Sequence, residues 1–340
     1  MRSLVIGDMH IGIKNNSLTW LESQLEFFDK QIFETIKTKE IERVIFLGDL
    51  SDIRYSINQQ IGLELQKKVR EMVNMFPNVI FYMIAGNHDY YSPLEEFDEY
   101  NVYNLLFPEE FLLIHKNLII VNKDPLLTED GCLMLPWYWS ENTDHIDELL
   151  YNYDFSNDVH AIFCHADLTT WPGARIASFK GCPIYAGHIH FIVEDQLCNL
   201  HNLGAAVPLT FNDVNQDRYL YILNKYEVVE KIKNITTPQF KRAYNDDIFN
   251  LDDAYFENSY VQLCISTQNV NKAKYVEQLK EIKNKYISSN IRLHVIDDET
   301  NIENLTVNGF NTNIETYIEQ NIPEHLDEKY NLIKTRLQEQ

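Results

Sequence analysis

The sequence predicts an α/β fold with two β-sheets, followed by a small C-terminal α+β domain. Three observations lead to this fold class. Apolar runs alternate with amphipathic helices in residues 4–85, short strands dominate from residue 111 onward, and a separate β-α-β pattern follows a polar segment. At 340 residues the chain exceeds a usual single domain, so one large domain with a smaller appendage is expected.

The N-terminal part predicts a βαβαβ unit. Three continuous apolar runs, residues 4–6, 44–47 and 79–85, have the pattern of strands in a sheet that is covered on both faces. The segments between them, residues 20–39 and 61–76, carry apolar side chains at spacings of three and four, which is typical of helices.

Shorter strands then predict a second sheet. The strand-like segments are residues 111–114, 118–121, 132–135, 159–164 and 184–186. Three further segments have the pattern of antiparallel edge strands, namely residues 197–203, 219–223 and 227–232. The last two form a predicted hairpin around Asn224-Lys225.

The C-terminal part predicts a separate small domain. Residues 234–253 are polar and read as a connector, after which strands at 260–265 and 291–296 flank a helix at 272–286. An amphipathic helix is predicted at 324–337. The predicted domain boundaries are 1–237 for the large domain, 238–253 for the connector, 254–322 for the small domain and 323–340 for the terminal helix.

Composition indicates a folded protein in a reducing compartment. Hydrophobic residues make up 45% and aromatic residues 12% of the sequence, which excludes an intrinsically disordered chain. The five cysteines have no CxxC spacing, so we expect free thiols rather than disulfides or a structural zinc site. The sequence shows neither a signal peptide nor an apolar run of membrane-spanning length, so we expect a cytoplasmic protein without membrane contact.

Five polar clusters stand at, or directly after, predicted strand ends. They are Asp8-x-His10, Gly48-Asp49-x-x-Asp52, Gly86-Asn87-His88-Asp89, His165 and Gly187-His188-x-His190. Each cluster alone is more often a turn or a satisfied histidine than a ligand. Because loops that follow adjacent strands meet at one edge of a sheet, the five clusters together predict a single site.

The residue types in these clusters predict a site for divalent cations. Carboxylates and imidazoles packed closely together cost free energy unless bound cations compensate their charge. A mixed set of nitrogen and oxygen ligands suits first-row metals such as Mn²⁺, Fe²⁺ or Zn²⁺ better than Ca²⁺. Glycine before Asp8, Asp49, Asn87 and His188 lets the backbone turn sharply at these ligands.

In this order the clusters resemble the motifs of the calcineurin-like metallophosphoesterase superfamily: D-x-H, GD-x-x-D, GNHD, H and GH-x-H. The resemblance implies an α-β-β-α sandwich of two sheets with a centre of two divalent metal ions. It assigns the metal ligands as follows: Asp8, His10 and His190 to one metal, Asn87, His165 and His188 to the other, and Asp49 to both.

The same resemblance implies a mechanism. His88 is placed beside the scissile phosphate, where it stabilises the transition state or protonates the leaving oxygen. Asp52 orients His88, whereas Asp89 is expected to be a structural hydrogen-bond acceptor. The phosphodiester is hydrolysed by direct attack of a hydroxide that bridges the two cations, without a covalent protein intermediate.

Within the superfamily the chain most resembles the nuclease subunit of SbcCD-type double-strand-break repair complexes, particularly its phage recombination counterparts. Residues 48–54 are similar to that branch's GD-x-x-D-x-R motif, residues 135–137 to its P-W element, and residues 204–218 to the loop after the last ligands. The resemblance implies an exo- or endodeoxyribonuclease of DNA recombination, repair or degradation. Mn²⁺ is the expected cofactor, with Mg²⁺, Fe²⁺ and Zn²⁺ as alternatives.

The resemblance also implies partners: DNA, an SMC-like ATPase subunit with a coiled coil, and a second copy of the chain. In that family the capping domain shapes the DNA entrance, and a C-terminal helix docks on the ATPase. Residues 324–337 fit such a docking helix and equally an ordinary terminal helix that packs on its own domain. A phage-encoded chain would act in the host cytoplasm.

The acidic balance is the main departure from a DNA-binding protein. A net charge of −22 speaks against a simple nucleic-acid binder, which uses clustered Lys and Arg. Bound cations or a basic partner subunit would have to offset this charge. Five basic residues stand near the predicted site, and each is expected at the surface: Lys14, Arg54, Arg175, Lys180 and Arg218.

Two other functions compete with the nuclease. A phosphatase or cyclic-nucleotide phosphodiesterase would use the same metal centre, and the acidic surface favours it while the appended domain does not. An inactive scaffold that only recruits an ATPase is the second alternative. The intact ligands in all five clusters speak against the scaffold, because a retired site should have lost some of them.

Overall fold

A computed structural model describes the protein over nine stretches: residues 1–52, 58–91, 100–137, 158–167, 181–195, 199–266, 269, 272–286 and 290–296. The chain divides into two compact units. The first unit consists of Met1–Lys241 and Ala254–Tyr260, and the second of Arg242–Asp253 and Val261–Gln340. Among the described residues, no helix combines the length and apolar character needed to cross a membrane.

The first unit contains a six-stranded sheet formed from both ends of its chain. Its strands are β1 (Arg2–Ile6), β2 (Arg43–Phe46), β3 (Ile80–Ile84), β4 (Leu118–Val121), β11 (Tyr219–Asn224) and β12 (Glu227–Lys233). The strand order is β12-β11-β1-β2-β3-β4. Strands β1 to β4 are parallel, whereas β11 and β12 form an antiparallel hairpin beside β1.

A second six-stranded sheet is built from the middle of the chain. Its strands are β5 (Leu126–Leu127), β6 (Cys132–Leu135), β7 (Ala161–His165), β8 (Ile184–Gly187), β9 (Val193–Asp195) and β10 (Leu200–Asn202). The order is β5-β6-β7-β8-β10-β9. The four central strands are parallel, and the short β5 and β9 are antiparallel edges.

Helices of the first unit follow the strands of the first sheet. They are α1 (Leu18–Phe27), α2 (Glu34–Thr38), α3 (Gln59–Met75), α4 (Val102–Leu106) and α5 (Glu109–Ile114), with a 3-10 helix at Phe211–Asp213. A π-helical segment, Phe28–Phe33, joins α1 to α2 within the predicted helix 20–39. The wider π turn lets Phe28 and Phe33, five positions apart, both face the core.

The two sheets pack face to face, and helices cover the outer face of the first sheet. Along β1, Leu4 and Ile6 belong to the core shared with the helices. Val5 points the other way and packs in a core that includes Tyr185 of β8. This alternation is the two-residue period of a strand that is buried on both faces.

These observations confirm the predicted α/β fold with two sheets. A third sheet contains β13 (Gln239–Tyr244), β14 (Ser259–Ser266) and β15 (Asn290–Ile296). The described residues also form a 3-10 helix Asn245–Asn250, α6 (Asp253–Phe256) and α7 (Ala273–Lys285). The predicted helix at 324–337 lies outside the described residues.

Two predicted secondary-structure assignments were wrong. Residues 111–114 belong to helix α5 rather than to a strand, because Pro108 caps a helix that begins with two glutamates and buries only one side of the apolar run. The polar segment 234–253 contains β13 and a 3-10 helix, so it is not a plain connector. Phe240 and Ala243 are buried within it despite its polar composition.

The predicted edge strands also need correction. Strand β10 lies within the predicted segment 197–203, of which residues 197 and 198 are outside the described part, and it pairs in parallel with β8. The edge beside it is β9, which was not predicted. Strand β11 lies inside the first sheet, and only β12 of the predicted hairpin is an edge. Strand order depends on distant pairing, which local hydrophobic patterns do not encode.

We expect Leu65→Ala to lower the free energy of unfolding by about 2–5 kcal/mol, because Leu65 is fully buried where α3 packs on the first sheet. Urea denaturation measures this change. Leu63→Ala is the matched control, since Leu63 lies on the same helix and is 50% exposed. It should change stability by less than about 0.5 kcal/mol. Equal losses in both variants would contradict the packing described here.

Candidate metal centre

The predicted clusters meet where the carboxyl ends of the parallel strands of both sheets lie close together. Asp8 and His10 follow β1, Asp49 and Asp52 follow β2, and Asn87 and His88 follow β3. From the second sheet, His165 ends β7, and His188 and His190 follow β8. All of these side chains lie at one edge of the sandwich, so the predicted convergence is present in the structure.

Asp8, His10 and His190 form one group of facing ligand atoms. The Nε2 atoms of His10 and His190 are 3.0 Å apart, and Asp8 Oδ2 lies 3.7 Å from His190 Nε2. Asp8 and His10 are almost completely buried. These residues are among the groups whose donor atoms lie close enough together to hold one cation.

A second group contains Asn87, His165 and His188. Asn87 Oδ1 lies 3.0 Å from His165 Nε2 and 2.9 Å from His188 Nδ1. The Nδ1–H of His165 donates to the backbone carbonyl of Leu47 at 2.8 Å, since a carbonyl can only accept. This contact leaves Nε2 of His165 facing the group, which is the arrangement that metal-binding histidines use.

Asp49 lies between the two groups and presents one carboxylate oxygen to each. Its Oδ1 is 3.4 Å from His165 Nε2, and its Oδ2 is 3.5 Å from His10 Nε2. The side chain is buried, so water does not compensate its charge. This placement is the one expected of a carboxylate that bridges two cations.

His88 and Asp52 form a hydrogen-bonded pair on the open side of these groups. The ring Nδ1 of His88 lies 2.6 Å from Asp52 Oδ1, and the His88 backbone N–H donates to Asp49 at 2.7 Å. The side chains of His88 and Asp52 are 27% and 28% exposed. With His10 they form a third group of neighbouring donor atoms, but the short contact between them already pairs the imidazole with the carboxylate.

Asp89 is a structural acceptor, as predicted. Its Oδ1 accepts hydrogen bonds from the N–H and the hydroxyl of Ser51. Its Oδ2 accepts from the N–H of Gly86 and the hydroxyl of Tyr103. Asp89 therefore holds the loops after β2 and β3 together beneath the site.

Two glycines are required by close approach to the site. A Cβ at Gly86 would lie 2.2 Å from Asp49 Oδ1, and a Cβ at Gly48 would lie 2.3 Å from His165 Nδ1. Gly48 also has a φ of +104°, a backbone conformation that other residues rarely adopt. These glycines let the ligands from different strands approach each other.

The buried carboxylates dominate the electrostatics of the site. Burial raises the pKa of Asp8 to about 6, although the neighbouring His165 and His10 act against this. Burial also acts on Asp49, but the positive charges of His165, His10 and His88 outweigh it and hold the pKa of Asp49 far below its usual range. A charged Asp49 at the centre therefore depends on positive neighbours.

The pKa is raised for two of the four ligand histidines and lowered for the other two. Burial opposes a proton on His165, yet the Asp49 and Asp8 carboxylates outweigh it and raise the pKa of His165 to about 9. The pKa of His10 is raised in the same way, by Asp52, Asp49 and Asp8 against burial. Burial lowers the pKa of His188 to about 4 and that of His190 to about 3, with further lowering from His165 and His10 respectively.

The donor set fits two divalent cations. Buried carboxylate oxygens, imidazole nitrogens and one amide oxygen form a mixed set that suits first-row metals. In the protein alone, a proton on His165 offsets the charges of Asp8 and Asp49, and the same carboxylates raise the pKa of His10. Cations would supply the same positive charge and would use the imidazole lone pairs as ligands.

Three residues near the ligands were not identified as site residues from sequence. Arg218 was expected at the surface, but it is buried, and its guanidinium donates to the backbone carbonyl of His190. Asn202, buried at the end of β10, donates to two carbonyls of the same loop. The Trp137 ring packs 4.5 Å from that of His188. The similarities of residues 135–137 and 204–218 to the nuclease branch signalled Trp137 and Arg218, and no sequence pattern marks Asn202.

The other basic residues named from sequence are not all described. Lys14 is exposed, as expected, and its ammonium lies over the ring of Phe240. Arg54, Arg175 and Lys180 lie outside the described residues. The described part of the chain therefore gives only Lys14 as a solvent-facing basic residue among the five.

Comparison with known families agrees with this geometry. The family model described as calcineurin-like phosphoesterase matches residues 1–191, which is more than half of the chain. The matched range includes every residue of the two ligand groups as well as Asp52 and His88. A search of curated proteins finds no match.

We expect cation binding at pH 7 to release about one proton or more, because His165, with a pKa of about 9, must lose its proton to become a ligand, and the raised pKa of His10 adds to this release. Calorimetric titration with Mn²⁺ in two buffers of different ionisation enthalpy measures this release. His201→Asn, a change on β10 outside the ligand groups, should leave it unaltered. A binding enthalpy that does not depend on the buffer would contradict the charge balance described here.

Proposed function

Since the chain belongs to the calcineurin-like phosphoesterase family, we propose that it is a DNA nuclease that hydrolyses phosphodiester bonds with two divalent cations, Mn²⁺ being the expected metal. The family and the ligand groups imply metal-dependent phosphoester hydrolysis. We further propose that its substrate is DNA, that its metal is Mn²⁺ and that it acts in recombination or repair.

The placement of Asp49 is the observation that carries the metal-dependent reaction. One buried carboxylate, that of Asp49, faces both Nε2 of His165 and Nε2 of His10. The two ligand groups are therefore adjacent, with Asp49 between them. We assign Asp8, His10 and His190 to one cation and Asn87, His165 and His188 to the other, with Asp49 shared. When bound, the cations stabilise the negative charge on the phosphoryl oxygens and lower the pKa of coordinated water.

The residues on the open side act on the substrate. His88 is partly exposed beside Asp49, so its ring is accessible to a phosphodiester that enters from solvent. Because its Nδ1 is paired with Asp52, the opposite nitrogen, Nε2, is the one available to the substrate. A proton on Nε2 would stabilise the phosphoryl charge or pass to the leaving oxygen. Asp52 holds the ring in this orientation.

The side chains of the site differ in their exposure to water. Asp8, His10 and His165 are almost fully buried, whereas His88, Asp52 and His190 are partly exposed on the open side. Low polarity around the buried carboxylates strengthens their interaction with cations. Among the described residues, a substrate would therefore reach the site at its exposed side chains, those of His88, Asp52 and His190.

Two features support DNA as the substrate. The sequence of residues 48–54 and the Trp137 element are similar to the nuclease branch of the family, and Trp137 packs against His188 in the centre. The net charge of −22 favours a small substrate instead. We propose that an SMC-like ATPase partner supplies the missing basic surface. The alternative function of the same metal centre is that of a phosphatase or cyclic-nucleotide phosphodiesterase.

Nuclease assays on linear duplex and single-stranded DNA test the proposal. We expect cleavage with Mn²⁺ that chelation abolishes. His88→Ala should lose about 10²–10⁴-fold in rate and still bind metal, because His88 acts on the substrate rather than on the cations. Asp49→Asn should lose both activity and the paired cations.

The same variants on a chromogenic phosphodiester separate the alternatives. Turnover of the small substrate without DNA cleavage, in the presence or absence of the ATPase, would replace the nuclease by a phosphatase or cyclic-nucleotide phosphodiesterase. Binding of cations without turnover of either substrate would favour a scaffold. Undiminished DNA cleavage in the presence of chelator would overturn metal-dependent hydrolysis itself.

A further inference from the structure

Three successive carbonyls in the loop that carries His188 and His190 are held by buried side chains. The amide of Asn202 donates to the carbonyls of Ile189 and Phe191. The guanidinium of Arg218 donates to the carbonyl of His190, which lies between them. We call Asn202, Arg218 and the Asp213 that pairs with Arg218 the carbonyl clamp.

Arg218 is fixed in place by Asp213. Its Nη2 lies 2.6 Å from Asp213 Oδ1, and both side chains are buried. Asp213 Oδ2 in turn accepts the backbone N–H groups of Leu209 and Thr210 at 2.6 and 2.8 Å. A buried ion pair with this many hydrogen bonds has a defined geometry, because either side chain would leave a buried charge without a partner if it turned away.

The carbonyl clamp connects the two sheets at the site. Asn202 ends β10 of the second sheet, and Arg218 directly precedes β11 of the first. His190 is a residue of the second sheet's loop, whereas the Asp8 and His10 that it faces follow β1 of the first sheet. Arg218 therefore ties the His190 backbone to the sheet that supplies its partners.

His188 and His190 differ in how they are held. The backbone N–H of His188 donates to both oxygens of Asp8, and its ring contacts Asn87. The His190 backbone is held at its carbonyl by Arg218 and by a longer bond, 3.2 Å, from the N–H of Ala205. Weakening the carbonyl clamp should thus move His190 more than His188.

We propose that Arg218 and Asn202 are positioning residues that set the affinity of one cation site, that of Asp8, His10 and His190, relative to the other. This inference rests on the proposed two-cation function. The site of Asn87, His165 and His188 depends on contacts from Leu47 and Asp8 that the carbonyl clamp does not touch. Loss of the clamp should convert a pair of bound cations into a single bound cation.

The test is a Mn²⁺ titration of the full chain, followed by calorimetry and by electron paramagnetic resonance. Arg218→Lys keeps a cation beside Asp213 but lacks the fork that also reaches the His190 carbonyl. Asn202→Ala removes the other two contacts and is an independent second variant. Arg43→Lys is the matched control, because Arg43 is equally buried, pairs with Asp130, and begins β2 at the edge opposite the site.

We expect wild type and Arg43→Lys to bind two Mn²⁺ ions with the spin-coupled signal of a close pair. Arg218→Lys and Asn202→Ala should bind one of the two about 10- to 100-fold more weakly and show the six-line signal of isolated Mn²⁺. Equal weakening of both sites, or unchanged pairs in both variants, would overturn the positioning role. A wild-type chain that binds no pair would overturn the proposed function as well, which separates the two failures.

Discussion

The burial of two carboxylates, Asp8 and Asp49, at the edge where two sheets meet is the constraint on which the rest of the site depends. A buried negative charge is costly unless a positive group compensates it, and the protein alone does so with a proton on His165 and a raised pKa of His10. The same four side chains offer lone pairs to cations once the histidines are unprotonated. Burial of the two carboxylates thus favours the binding of divalent cations, and the site needs no basic surface to bind these cations.

The distances between the metal ligands depend on how the two sheets pack against each other. The carboxylates come from loops of the first sheet, and three of the four histidines come from the second. Any slip between the sheets would move apart the ligands within each group, because each group takes residues from both sheets. The shared core around Val5 and Tyr185 and the Arg218 contact to the His190 loop both oppose such a slip. Asp89 does the same for loops within the first sheet, which explains why this acid is structural although it adjoins His88.

Much of this could be predicted from sequence, because buried parallel strands are short apolar runs and their polar ends mark a shared edge. Asp8, Asp49 and His188 were found in this way, and the family resemblance divided the ligands into two sets that the structure brings together. Local patterns failed where distant strand pairing decides, since β10 lies inside its sheet. The helix at residues 111–114 was instead missed because its local start signal, Pro108 followed by two glutamates, was not used. Hydropathy alone does not distinguish Arg218 from a surface arginine, since only the fold places the buried Asp213 beside it.

Diffraction at the manganese absorption edge from crystals grown with Mn²⁺ tests the two-cation centre most directly. We expect two anomalous peaks, one among Asp8, His10 and His190 and one among Asn87, His165 and His188, with Asp49 between them. A single peak at His88 and Asp52, or peaks only at surface carboxylates, would contradict a shared metal centre at the meeting edge of the two sheets.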